Sequence, residues 1–258
     1  MIVYRCEDTL ESIFTAVYRA YEEKRNHEDT VLRLDKEYCL FGEDVEVRPD
    51  TGKADKVIRT LKRRFGEKDY EALCMALTSE AEDKAQAVYR VIVKGLQGKV
   101  PQGHLLDNLA DEDSCRVFRL ARAASRECHH LFGFLRFEEL ADGILYAGIG
   151  PKNQLLPFLM PHFAQRLPME NFLIFDEKRE TWGVHPAGKE WFLVKGAASD
   201  LESIRQLSAR EEQIRELFCC FCSSIAIKER ENKALQRNLL PLRFREYMTE
   251  FRGRNLEK

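Results

Sequence analysis

Residues 126–149 read RECHHLFGFLRFEELADGILYAGI, and within this stretch the hydrophobic period changes. Up to about His130 apolar residues recur every three to four positions, the spacing of one helix face. Beyond it, FGFLRFE (132–138) and, after the Ala141-Asp142-Gly143 turn, ILYAGI (144–149) alternate with period two, as paired antiparallel strands do. The junction of a long helix with a hairpin predicts an α+β fold, and the flanking sequence extends it.

Downstream, the proline-punctuated PKNQLLPFLMPHFAQRLP (151–168) is helical. It leads to three strand candidates, FLIFD (172–176), TWGVH (181–185) and EWFLV (190–194), joined by the turns DEKR and PAGK. Helices follow at about 199–207, 209–233 and 241–250. Upstream, the helix that ends near His130 begins at about Asp113 and is preceded by GLQGKVPQGHLLDN (95–108), whose glycines and proline mark a linker. Helices are expected at about 53–65, 67–77 and 81–96. VLRLDKEYCLFGEDVEVRP (31–49) reads as a hairpin around Gly42. Met1–Cys6 reads as a strand, and Asp8 or Thr9 caps a helix to about Lys24 with Leu10, Ile13, Phe14, Val17 and Tyr21 on one face. The expected fold is an antiparallel β-meander flanked by helices, with an N-terminal strand–helix unit and a helical C-terminus. The expected division is 1–83 and 84–258, as two units or one continuous globular body.

The 258 residues are 44% apolar and 33% charged, the balance of a water-soluble globular chain. No run approaches the roughly 18 apolar residues of a membrane helix. MIVYRCEDTLES is acidic after one short apolar run and is no signal peptide, so a cytoplasmic location is expected. The eight cysteines are then reduced thiols. Net charge is −2, with thirteen acids against seven Lys or Arg in residues 1–51 and nine Lys or Arg against five acids in residues 226–258. A basic end on a nearly neutral chain suits one surface for a polyanion.

On a wheel at about 100° per residue, Val117, Leu120, Ala121, Ala124, Cys128 and Leu131 form the core face of the helix before His130. Arg119, Arg122, Arg126, His129 and His130 gather on the opposite side. Glu127 lies at the edge of the apolar face and does not neutralise them. The stripe is either a solvated face, its cations favoured near the helix C-terminus, or a surface that tracks phosphates with planar, permanently charged guanidiniums. Arg136, Arg166, Lys233, Arg237, Arg243 and Arg245 are the further nucleic-acid-binding candidates.

For acid–base chemistry the candidates are His129, His130, His162 and Asp176, with Arg136 beside them. Adjacent His129 and His130 point about 100° apart on a helix, so they do not form a two-histidine metal site. The CCFC run (219–222) lacks a second Cys pair and reads as core packing in the apolar helix LFCCFCSSIAI. No metal or other cofactor is expected. Phosphate-loop, dinucleotide, HExxH and GxSxG motifs are missing, as is the three-cysteine loop of radical S-adenosylmethionine enzymes.

HHLFGFLRFEEL (129–140), LYAGIGPKNQLLPFLMPHFAQRLPMENFLIFDEKRE (145–180), NLLPLRFREYMTEF (238–251) and the opening MIVYRCEDTLESIFTAVYRAY together resemble a bacterial family of uncharacterised DNA-metabolism proteins. The resemblance is densest from about 84 to 250. It departs at Cys6-Glu7-Asp8, where relatives tend to have a glycine-containing turn, and at Arg245, where they often carry a second aromatic. It implies a DNA-repair context, beside a radical S-adenosylmethionine protein or fused to a uracil-DNA-glycosylase-like domain, and no catalytic residues. The first expectation is therefore an accessory protein that binds DNA and works with a partner enzyme. An enzyme acting on a nucleotide or base is the second, and a protein-only adaptor the third.

Overall fold

Ile2–Arg5 (β1) is the middle strand of a three-stranded sheet, with Thr30–Arg33 (β2) on one side and Glu43–Glu46 (β3) on the other. Both neighbours run parallel to β1. The hairpin expected over 31–49 does not form, because each of its halves pairs with β1 instead. Parallel partners need a crossover, and Leu10–Glu22 (α1) supplies the one from β1 to β2. Thr9 caps α1 by accepting the Ser12 N–H at 3.1 Å, and Ile13, Phe14 and Val17 are buried. The structure is a computed structural model that describes residues 1–34, 42–98, 100–196 and 206–251. The centre of the expected hairpin, residues 35–41, and nearly all of the expected 199–207 helix lie outside the described residues.

Thr51–Phe65 (α2), Glu67–Leu77 (α3) and Lys84–Gln97 (α4) match the expected helices within three residues at each end. Gly66 separates α2 from α3 at φ +87°, a backbone conformation that favours glycine. The glycine-rich stretch expected as a linker is packed instead. Leu105 and Leu106 are buried, and the Leu105 N–H donates to Asp69 Oδ2 at 3.1 Å. Gly95 is the reason Leu105 fits, since a Cβ there would lie 2.5 Å from Leu105 Cδ1 and 2.8 Å from Phe65 Cζ. Gly95→Ala should therefore destabilise by about 1–3 kcal/mol despite alanine's better helix propensity. Urea unfolding followed by far-UV circular dichroism checks it, and an unchanged midpoint would refute the close packing.

Glu112–Phe134 (α5) is one helix, and all six of its expected core residues are buried. It runs a turn beyond His130, so the expected strand FGFLRFE shrinks to Glu138–Glu139 (β4). The physical reason is that Cys128, Leu131 and Leu135 continue the helical period, and the Leu135 N–H still donates to Leu131 O at 3.0 Å.

The α+β architecture, with an N-terminal strand and a helical C-terminus, is as the sequence predicts. Its second sheet has the order β4-β5-β6-β7-β8, with Leu145–Ile149 (β5), Phe172–Asp176 (β6), Thr181–His185 (β7) and Phe192–Lys195 (β8). Three of its four neighbouring pairs are antiparallel as expected, but β5 and β6 are parallel, joined through Leu156–Arg166 (α6). The sheet is therefore not a simple meander. Tyr146, Phe175, Trp182 and Leu140 form a core cluster on it.

Ala209–Ser224 (α7), Lys233–Leu239 (α8) and Leu242–Arg245 (α9) make up the helical end. Here the expected burial of the CCFC helix is overturned. Leu217 is 69% exposed and Phe221 56%, Cys220 is exposed, and Glu211 is the buried residue of α7. The chain divides into two compact units, Met1–Arg126 and Glu127–Lys258. Among the described residues no helix is long and apolar enough to cross a membrane.

Candidate nucleic-acid interface

The arginines of α5 divide by what they touch. Arg116 makes a two-pronged ion pair with Asp83, both N–O distances being 2.7 Å. Arg119, Arg122 and Arg126, the following residues on the basic stripe, are exposed. The Arg119 guanidinium lies 3.1–3.3 Å from Cys115 Sγ, and that of Arg122 lies 5.9 Å from the Phe118 ring centre. Among the described residues none of the three has a carboxylate partner. Glu127, the nearest acid on the helix, is 2% exposed and turned into the second unit.

There Glu127 accepts from donors only. The Lys152 N–H reaches Oε1 at 3.0 Å, and the Asn153 N–H and side-chain amide reach Oε2 at 2.9 and 2.6 Å. Arg243 completes the set with an ion pair at 3.1 Å. From its other side the same loop is held by Arg179, whose guanidinium donates to Pro151 O at 3.1 Å and to Lys152 O. Asp176, wholly buried at the end of β6, fixes Arg179 with a hydrogen bond of 3.1 Å. Its Oδ1 also accepts the Lys178 and Arg179 N–H groups, the turn an aspartate makes two residues ahead of itself. Burial raises the Asp176 pKa above the usual carboxylate value, and the Arg179 charge opposes the shift. This loop sits at the carboxyl ends of the parallel strands β5 and β6, where open α/β sheets often bind ligands. Here the backbone donors at 152 and 153 are already taken by Glu127, so the arrangement is a clamp on the loop.

The remaining basic candidates fall into two groups. Arg136 donates to Gly133 O at 2.8 Å and pairs with Glu250 at 2.9 Å. Arg243 is taken by Glu127, and Arg245 stacks over Phe251 at 5.0 Å. These three hold the second unit together. Arg166, Lys233 and Arg237 are exposed.

The acid–base candidates are not assembled into one centre. His129 is exposed. His130 packs its ring between Phe134 and Phe244, at 5.5 and 5.6 Å, and so leaves the open stripe on which the helical wheel places it. His162 stacks on Phe132 at 4.1 Å, and its buried Nε2 has no hydrogen-bond partner among the described residues. Burial, with the nearby Arg166 charge, lowers the His162 pKa and favours the neutral ring at pH 7. Arg136 bonds to Glu250 and Asp176 to Arg179, so neither is directed at His162. Among the described residues no three His, Cys, Asp or Glu side chains gather where they could hold a metal ion.

Asn153, Arg179 and Tyr247 are not among the residues that the sequence singles out, and Glu127 is marked there only as an acid at the edge of the apolar face. Glu127 carried a signal, because an acid beside Cys128 and Leu131 on an apolar sector must find donors elsewhere when it is buried. Tyr247 packs so closely on the loop that a Cβ at Gly150 would lie 2.3 Å from its hydroxyl, which donates to Glu177 at 3.1 Å.

In comparison with known proteins, the family described as "Domain of unknown function (DUF4130)" matches residues 82–250, more than half of the chain. No curated protein and no solved structure matches.

Proposed function

The chain belongs to the DUF4130 family, and we propose that it binds nucleic acid through the arginine face of α5, as a DNA-metabolism accessory to a partner enzyme. One observation carries the reading. Arg119, Arg122 and Arg126 are exposed without a carboxylate among the described residues, while Arg116 on the same helix is fully paired. Three unrelieved cations along about 10 Å of helix repel one another, and a row of phosphates relieves that repulsion. The guanidiniums keep their charge at any physiological pH and offer phosphate a planar fork. The resemblance of the motifs to DNA-metabolism proteins supplies the DNA context and the partner, a radical S-adenosylmethionine protein or a uracil-DNA-glycosylase-like domain.

The test is fluorescence anisotropy of a labelled DNA duplex titrated with the full chain across a range of salt. In the Arg119→Ala/Arg122→Ala/Arg126→Ala variant, binding should weaken, and the slope of log K against log salt should flatten by roughly 0.9 for each phosphate that is no longer neutralised. Arg116→Ala, which removes a paired arginine, should leave the slope as it is. Wild-type binding that ignores salt, or a triple variant that binds as wild type does, would sink the reading.

A further inference from the structure

The helical end of the second unit leaves apolar side chains in the open in a pattern that the nucleic-acid reading does not use. Around α8 and α9 lies a groove of about 900 Å³. Its floor is mostly aliphatic, from Leu235, Leu239, Leu242 and Met248, with Cys222 of α7 at the wall and one aromatic ring, Phe251, over which the Arg245 guanidinium lies at 5.0 Å. Leu235 and Leu239 are four residues apart on α8, so they share a face, and they are 53% and 64% exposed. The rim is basic, with Arg230, Lys233, Arg237 and Arg245 against Glu231 and Glu250, and Glu250 is already bonded to Arg136 at 2.9 Å.

Lys233, Arg237 and Arg245 thus surround a leucine floor. Aliphatic carbon gives bases neither stacking nor hydrogen bonds, and Arg245 already occupies a face of the Phe251 ring, whereas single-strand tracks interleave cations with aromatic rings that bases can reach. An amphipathic helix laid in a groove wants the opposite arrangement, apolar anchors at i, i+3, i+4 and i+7 below and complementary charge along the edges. Exposed contiguous apolar surface on a soluble chain marks such interfaces. With a predominantly basic rim, the complementary charge is negative.

We propose that this groove docks an acidic amphipathic helix of another protein. The leucine floor takes its apolar face, and Arg230 and Arg237 meet its carboxylates. The groove shares no residue with the α5 arginine stripe, so the two readings are tested by different variants.

The probes are two synthetic peptides of about 18 residues, both with leucines at helical spacing, one with glutamates and the other with lysines at the remaining positions. Binding of each labelled peptide to the full chain is followed by anisotropy. The glutamate peptide should bind at least roughly tenfold more tightly than the lysine peptide. Leu235→Gln/Leu239→Gln keeps charge and helix propensity, and should weaken that binding by about tenfold or more with the circular dichroism spectrum unchanged. The triple α5 arginine variant should bind the peptide as wild type does.

Equal binding of the two peptides overturns the proposal, as does no binding of either at about 100 μM. Competitive displacement of the glutamate peptide from the triple α5 variant by duplex DNA would make the groove a nucleic-acid surface instead. Wild-type chain that sediments as a dimer, and as a monomer once the two leucines are replaced, would make a second copy the occupant.

Discussion

Glu127→Ala is expected to destabilise the second unit by about 3–5 kcal/mol, the usual cost of breaking a buried ion pair from one side. The loss is large because four donors depend on one carboxylate. The Lys152 N–H, the Asn153 N–H, the Asn153 side-chain amide and Arg243 all converge on its two oxygens. Each buried donor left without an acceptor costs about 1–3 kcal/mol, more when it is charged. Glu127→Gln should be almost as damaging. Both carboxylate oxygens face donors, so whichever way the new amide is turned, its NH₂ group meets N–H. Both tryptophans, Trp182 and Trp191, lie in this unit, and Trp182 is 9% exposed against Phe175 and Tyr146. Urea unfolding followed by tryptophan fluorescence therefore reads the affected unit directly. A glutamine variant within about 1 kcal/mol of wild type would show that the converging donors do not matter to stability.

Asp176 is the instructive contrast, a second buried carboxylate beside an arginine from which a different result is expected. Asp176→Ala should cost about 2–3 kcal/mol, since the Arg179 guanidinium and two backbone N–H groups lose their acceptor. Asp176→Asn should cost less than Asp176→Ala at neutral pH, because its Oδ1 still serves both N–H groups, the cost of burying a charge disappears, and the Arg179 guanidinium that its NH₂ group meets keeps the Pro151 and Lys152 carbonyls. The raised pKa of Asp176, due first to burial, gives the pH dependence its sign. The folded state holds the proton more tightly than the unfolded state does. Stability from this group is therefore fully present below the ordinary carboxylate pKa and is lost as pH rises through the raised folded value. The stability of wild type relative to Asp176→Asn should accordingly fall from acid to neutral pH. A difference that grows with pH would mean that the Arg179 charge outweighs burial.

Several parts of this architecture are legible in the sequence. FLIFD and TWGVH are strands at the residues their alternation marks, and the α5 core face is buried as the period-3.6 pattern requires. Strand direction is less accessible, because alternation is the same in either orientation. The helix α6 between β5 and β6 is readable, and a crossover helix is what a parallel pair needs. The CCFC helix departs from expectation for another reason. Its apolar residues declare a preference for burial but not the surface that would satisfy it, and in this fold Leu217 and Phe221 remain open.

By itself the sequence determined the arginine stripe of α5, since residues spaced along one helix share a face whatever the rest of the chain does. Only the tertiary structure decided which basic residues remain available to a polyanion. Arg136 is taken by Glu250, 114 positions away, and Arg243 by Glu127, a helix residue whose neighbours in sequence give it no partner. Local periodicity fixes which side chains stand together on one element. Ion pairing between distant elements depends on where folding places them, and desolvation then selects the pairs that must form.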